Sequence, residues 1–354
     1  MIISAFLCLS LILTSPLHLY AQLSSTVTCL FPKSWEGRQA LLVAQPLAQR
    51  TKLDTAVVLN RMAVFTIDVA EPCPAYIWVE GNKDDIPFFI DSPRIDISID
   101  PTSSTHSLVE GSPGSDLWVE QLYRSNDFQN TDRELSQEIA MAMVKGDTLA
   151  AFQLENQIDS LRITHTNTLI TQILNHPDLS LSWYTFATND FAYDQTYSLF
   201  DKLGAFSSYP SYKRLSDKLT RKKLGITVQD FATSAHANSP VNLSSLKSRF
   251  ILLDFSMTYM LACKRQHTLL RNLYTKYKSS GLEIITIWSV QEKNSQNNLP
   301  WIQILNNELS KTLTHDLAVD RVPDNVLLDS NRRVIARGLT TRELEVKLAQ
   351  LLNE

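Results

Sequence analysis

The run Phe250-Ile251-Leu252-Leu253-Asp254-Phe255 constrains this chain more than any other feature. A strand with no wet face suits the middle of a sheet that is covered on both sides. The segments after it continue an α/β pattern. From Lys264 to Tyr277, the residues Leu269, Leu270, Leu273, Tyr274 and Tyr277 fall on one helical face. Gly281 ends that helix, where a left-handed C-terminal cap calls for glycine. Leu282-Glu283-Ile284-Ile285-Thr286-Ile287-Trp288 is the next strand, and Pro300 to Leu309 predicts a helix with proline in its first turn. Val326-Leu327-Leu328 and Val334-Ile335-Ala336 flank the polar stretch Asp329 to Arg332 and predict a hairpin. The last helix opens at Thr340 with Glu343 three residues on, a capping box. The predicted order over 225–354 is β-α-β-α-β-β-α.

The chain has 354 residues, which at roughly 100–200 residues per domain allows two or three domains. Residues 23–113 read as all-β. Val27 to Phe31, Ala40 to Val43, Ala63 to Ile67, Tyr76 to Val79 and Ile95 to Ile99 are short β-rich runs, separated by turns at Trp35 to Gly37, Glu80 to Asn82 and Ser92-Pro93. That spacing predicts a β-sandwich or small barrel. Residues 114–224 change to a helical period, with helices over Glu134 to Val144, Leu149 to Leu174, Trp183 to Thr188, Thr196 to Leu203 and Tyr212 to Leu224. Asn175-His176-Pro177-Asp178 breaks the pattern. The aromatic residues Trp183, Tyr184, Phe186, Phe191, Tyr193 and Tyr197 crowd one stretch and read as a helix-packing core.

A net charge of -4 lacks the basic footprint of a nucleic-acid binder. An apolar run from Ile2 to Leu13, then Ser15-Pro16 and Leu19-Tyr20-Ala21-Gln22, reads as a cleaved leader over residues 1–22, although no Lys or Arg precedes it. This predicts a protein of the periplasm or cell envelope, and cleavage there would remove Cys8 and leave Cys29, Cys73 and Cys263. Cys29 and Cys73 either pair or sit as two separate buried thiols, and both readings stay open. No dinucleotide fingerprint, P-loop, zinc-protease or nucleophile-elbow motif occurs, and the histidines are scattered without metal-ligand spacing. No cofactor and no metal is expected.

The segment Leu253-Asp254-Phe255-Ser256-Met257-Thr258-Tyr259-Met260-Leu261-Ala262-Cys263-Lys264, followed by Tyr277-Lys278-Ser279-Ser280-Gly281-Leu282-Glu283, resembles the thioredoxin-like exported thiol–disulfide oxidoreductases similar to TlpA and ResA. Their pattern is Leu-Asp-Phe-Trp-Ala-x-Trp-Cys-x-x-Cys-Arg, a helix, then Tyr-Lys-x-x-Gly-Leu-Glu, and it aligns without a gap. Asp230-Phe231 and Val241 to Lys247 resemble that family's lead-in to the first core strand, and Arg321-Val322-Pro323 its cis-proline loop. Many such proteins carry an N-terminal β domain of unknown function and a helical linker, and Leu108 to Pro113 resembles the end of that domain.

The resemblance implies a nucleophilic cysteine where this chain has Met260, and a thioether forms no mixed disulfide. Tryptophans of the pattern are replaced by Ser256 and Tyr259. Cys263 matches the resolving cysteine, and Asp254 the buried acid that takes its proton. Val322, Pro323 and Tyr259 match the surface on which an extended peptide docks. Cys263 without its partner reads as a buried, inert thiol. His267, one turn beyond it, reads as a surface residue, although it could lower the thiol pKa. The expected function is binding of a peptide or protein partner in the cell envelope without dithiol catalysis. A single-thiol reductase or peroxidase-like enzyme using Cys263, and a cell-envelope assembly module, are the alternatives, so whether the chain is an enzyme stays open.

Overall fold

The computed structural model describes residues 23–47, 49–103, 106–234, 240–290, 299–305 and 308–352. The leader expected over residues 1–22 lies outside the described residues. The chain divides into two compact units, Met1–Lys213 and Arg214–Glu354.

In the first unit, β1 (Leu23–Leu30), β2 (Gln39–Ala44), β3 (Lys52–Val57), β4 (Met62–Val69), β5 (Cys73–Val79), β6 (Ile86–Ile90), β7 (Arg94–Ser98) and β8 (Leu108–Glu110) come first. They form two four-stranded sheets, ordered β4-β1-β7-β8 and β3-β2-β5-β6. β4 alternates exposed and buried along its whole length, as a strand with one wet face must. Val27, Phe65 and Ile67 from one sheet and Leu42, Ile77 and Phe88 from the other share one core, so the two sheets form a sandwich. The sequence reading missed β3, β6 and β8. β3 buries no residue fully, and β6 carries Pro87, which is tolerated because β6 is an edge strand.

Cys29 on β1 and Cys73 on β5 are buried, free thiols and form no disulfide. Burial is the main cause that pushes each of them up to about 12. The unfolded thiols ionise from the ordinary value of 9.0, while the folded ones stay protonated. Their stabilising contribution is therefore fully present below that value and is lost as pH rises through about 12. Denaturant titrations at a series of alkaline pH values are expected to show a shallower loss of stability for the Cys29→Ala/Cys73→Ala variant than for the wild type. Equal slopes would show that the two thiols do not carry this dependence.

The same unit continues with α1 (Ser115–Lys145), α2 (Thr148–Asn175), α3 (Ser180–Thr188), α4 (Tyr193–Lys202) and α5 (Pro210–Lys222), the last of which runs across the unit boundary. α1 starts well before the expected Glu134. It stops at Gly146, whose φ of 76° is the left-handed cap position. Asp147 then caps α2 by accepting a hydrogen bond from Ala150 N. Trp183 is buried against Phe186, Phe200, Phe206 and Tyr212, so these aromatic side chains form a packing core. The indole N–H of Trp183 donates to Ser211 Oγ at 2.7 Å, and that hydroxyl donates to the buried carboxylate of Glu71 at 2.6 Å.

In the second unit, β9 (Ala232–Ser234) and β10 (Pro240–Asn242) pair as a small hairpin ahead of the main sheet. The main sheet comprises β11 (Phe250–Met257), β12 (Leu282–Val290), β13 (Ile302–Ile304), β14 (Asp324–Asp329) and β15 (Val334–Arg337) in the order β13-β12-β11-β14-β15. β11, β12 and β13 run parallel, and β14 and β15 are antiparallel additions. β11 is thus an inner strand, as its apolar run requires. On one face, α6 (Leu261–Tyr277) and α8 (Thr341–Leu352) bury Leu270, Tyr274, Tyr277, Leu344 and Leu348 with Leu252 and Ile284. On the other face, α7 (Glu308–Asp316) and the turn after it bring Leu313 and Leu317 onto Leu253, Phe255, Ile285 and Ile287. Thr340 and Glu343 form the expected capping box, with Thr340 N donating to Glu343 Oε2 at 2.8 Å.

One expected element does not form. The segment Pro300 to Leu309 contains β13 and the start of α7 rather than a single helix beginning at the proline. Ile302 and Ile304 pair in register with Ile285 and Ile287, and a third parallel strand buries them better than an exposed helix turn would. The order is therefore β-α-β-β-α-β-β-α.

Candidate functional site

Period-two alternation on β11 puts Ile251, Leu253 and Phe255 on the α7 face and leaves Leu252, Asp254 and Ser256 facing α6. Asp254 is fully buried there. Its Oδ1 accepts from Gln266 Nε2 at 3.0 Å, and its Oδ2 accepts from Thr286 Oγ1 at 2.8 Å. His267 Nε2 lies 2.9 Å from the same Oδ2 and 3.1 Å from Ser256 Oγ. A carboxylate only accepts, so Nε2 carries the hydrogen toward Asp254. Thr286 sits opposite Asp254 in the parallel register and accepts in turn from Trp301 Nε1 at 2.9 Å. Trp288 packs edge-on to the His267 ring, with centroids 5.3 Å apart, and donates its N–H to Gln303 Oε1 at 3.1 Å. Both oxygens of the buried acid are therefore engaged by neighbours other than the thiol.

Ser256, His267 and Asp254 share residue types with a hydrolase triad but not its geometry. The serine and the acid both meet Nε2, whereas a relay needs them on opposite ring nitrogens. The cluster is a polar core network, and His267 is buried rather than on the surface as the sequence suggested. A lone helical histidine shows no sign of burial in its own segment. Its acceptor, Asp254, lies on a different element.

Met260 stands at the N-cap of α6 with extended backbone, and its side chain makes no cap hydrogen bond. Cys263, three residues on, is fully buried, and its Sγ accepts from Met257 N at 3.4 Å. Tyr259 is exposed at the tip of the loop, and its hydroxyl donates to Met257 Sδ at 3.1 Å. The Val322–Pro323 peptide bond is cis. Phe255 near the end of β11 pairs with Asp324, the residue directly after Pro323. Val322 is half-buried against the α7-side core. Asp254, Met260 and Cys263 thus gather around the C-terminal end of β11, and Val322 and Pro323 directly precede its antiparallel neighbour β14. The sequence reading missed Gln266, Thr286 and Trp301. Thr286 is the one signal within reach, a polar residue inside an apolar strand run and level with Asp254.

A parallel strand–helix–strand unit with an acid on its first strand, a cysteine in the first turn of its helix and a cis proline directly before that strand's antiparallel neighbour defines the second unit as a thioredoxin-like domain. In agreement, residues 248–334 match the family described as thioredoxin-like, and residues 24–118 match a domain of unknown function, DUF4369. No curated protein matches the chain. Among solved structures, it is similar to a thiol:disulfide interchange protein from Bacteroides sp. at 17% identity, covering 38% of this chain and 93% of that one with a TM-score of 0.35. A thioredoxin-like protein from Bacteroides caccae is similar at 15% identity, covering 56% and 82%, with a TM-score of 0.38. A putative thiol:disulfide interchange protein DsbE from Chlorobium tepidum is similar at 18% identity, covering 37% and 98%, with a TM-score of 0.30. Among the described residues, no helix is long and apolar enough to cross a membrane.

Proposed function

We propose that this chain is an exported thioredoxin-fold protein of the thiol–disulfide oxidoreductase family that carries out no dithiol catalysis and instead binds peptide or protein partners in the cell envelope. The observation that carries this reading is the pairing of Met260 at the helix start with a Cys263 sealed in the core. Disulfide exchange needs an accessible thiolate to attack and a second thiol to resolve the mixed disulfide. Met260 supplies neither. The sulfur of Cys263 is fixed to Met257 N, and Asp254 is committed to Gln266, His267 and Thr286. The docking edge implied by the resemblance supports the binding half of this reading. Val322 and Pro323 directly precede β14, whose first residue Asp324 pairs with Phe255 of β11, and Tyr259 presents an exposed aromatic ring.

The test is dithiothreitol-driven insulin reduction followed by turbidity, with wild type beside Cys263→Ser. Both are expected to match the protein-free background. Strong wild-type activity that vanishes in Cys263→Ser would replace this reading with the single-thiol enzyme.

A further inference from the structure

The second unit contains a pocket of about 420 Å³ on the α7 side of the sheet. Its walls include Lys218 and Arg221 of α5, Ser289 near the C-terminal end of β12, Lys311 and His315 of α7, and Asp320. Parallel strands leave a crevice at their carboxyl ends, where ligands of α/β sheets commonly bind. Asp320 is the acidic residue of this wall, and it is already neutralised. Lys218 Nζ and Lys222 Nζ lie 2.8 and 2.7 Å from its Oδ2. Burial alone would raise its carboxyl, but the two ammonium groups hold it below the usual range.

Arg221 is different. Its guanidinium Nη1 donates to His315 Nε2 at 2.9 Å, and arginine cannot give up its proton, so that ring nitrogen is the acceptor. His315 then carries its hydrogen on Nδ1, 3.0 Å from Asp316 Oδ1. Arg221 thus spends a hydrogen bond on a neutral partner. Its Nε is buried with no hydrogen-bond partner among the described residues. Lys311 pairs with Glu308 at 2.6 Å, but both side chains are largely exposed and such a pair is weakly held. The last turn of α7 does not oppose an anion here. The carbonyls of Thr314 and His315 are taken by the amides of Val319 and Ala318 at 2.9 and 3.0 Å.

We propose that this pocket binds a small oxyanion, the carboxylate or phosphate group of a small molecule, with Arg221 as its principal donor and Lys311 as a second. A guanidinium suits either group, because it is always charged and carries several N–H donors, of which only Nη1 is bonded to His315 here.

The test is isothermal titration calorimetry of the whole protein with inorganic phosphate and, separately, with succinate, at an ionic strength held constant with sodium chloride. Saturable binding of phosphate alone assigns a phosphate-bearing ligand, of succinate alone a carboxylate-bearing one, and of both a general oxyanion site. Arg221→Gln is expected to weaken that binding by about tenfold or more, as loss of a hydrogen bond to a charged group does. Lys311→Gln, at an exposed position that leaves folding intact, is expected to weaken it several-fold and keeps the test decisive if the Arg221 variant is unstable. Absence of saturable binding by either anion overturns the proposal, as does unchanged affinity in Lys311→Gln together with a folded Arg221→Gln.

Discussion

Met260→Cys is expected to form a reducible disulfide with Cys263 and to raise insulin reduction by at least about tenfold over the wild-type background, equivalent to about 1.4 kcal/mol of barrier. The variant restores the spacing of the family's pair at a helix start whose backbone is already in place. Residue 260 is the N-cap of α6, and Cys263 lies in the first turn. A thiol at that position gains from the amide groups of the helix N-terminus, which favour the thiolate. Two features hold the gain down. Cys263 is sealed and fixed to Met257 N, so closing the disulfide requires the Met257–Met260 loop to shift. Asp254 is engaged on both oxygens, so it offers no free base to the resolving thiol. Mass spectrometry under reducing and oxidising conditions reads the disulfide, and the turbidity assay reads the activity. A variant that forms neither would show that the loop geometry, and not only the missing sulfur, has moved away from catalysis.

The second large effect is on stability. Asp254→Ala should destabilise the second unit by about 3–5 kcal/mol, the range for removing one partner of a buried ionic or hydrogen-bonded group. The substitution strips the acceptor from Gln266, His267 and Thr286 at once and leaves a void beneath α6. Trp301 loses order with it, because its indole N–H bonds to Thr286. In a working redox site the opposite sign is natural, since a buried acid kept for chemistry is held at a cost to stability. Hydrogen exchange read on β11 and α6 peptides localises the change to the second unit, which a whole-chain melt of two units would blur. Slower exchange in Asp254→Ala than in the wild type would mean that the acid is strained rather than structural.

Much of this architecture was legible in the residues. The apolar run at Phe250–Phe255 placed an inner strand because only a doubly covered strand needs no polar alternation. Gly281 marked the end of α6, and Thr340 with Glu343 marked the start of α8. What escaped depended on partners distant in sequence. β13 has only Ile302, Gln303 and Ile304, too few to show a period, and forms because Ile285 and Ile287 accept it in register. β6 was hidden by Pro87, which carries meaning only once its edge position is known. At the site, Asp254, Met260 and Cys263 could be picked out only through the resemblance of their segment to the thiol–disulfide oxidoreductase pattern. His267 could not be assigned, because its place inside the core follows from the acid it meets across the strand–helix interface.

Alkylation of Cys263 in the folded protein distinguishes a structural thiol, as proposed, from a reactive one. Native protein treated with iodoacetamide, quenched at intervals and mapped by mass spectrometry should leave Cys263 unmodified for as long as the chain stays folded, with labelling appearing only as denaturant unfolds the second unit. Rapid modification of Cys263 under native conditions, faster than unfolding, would contradict the account and make this residue an accessible, reactive thiol.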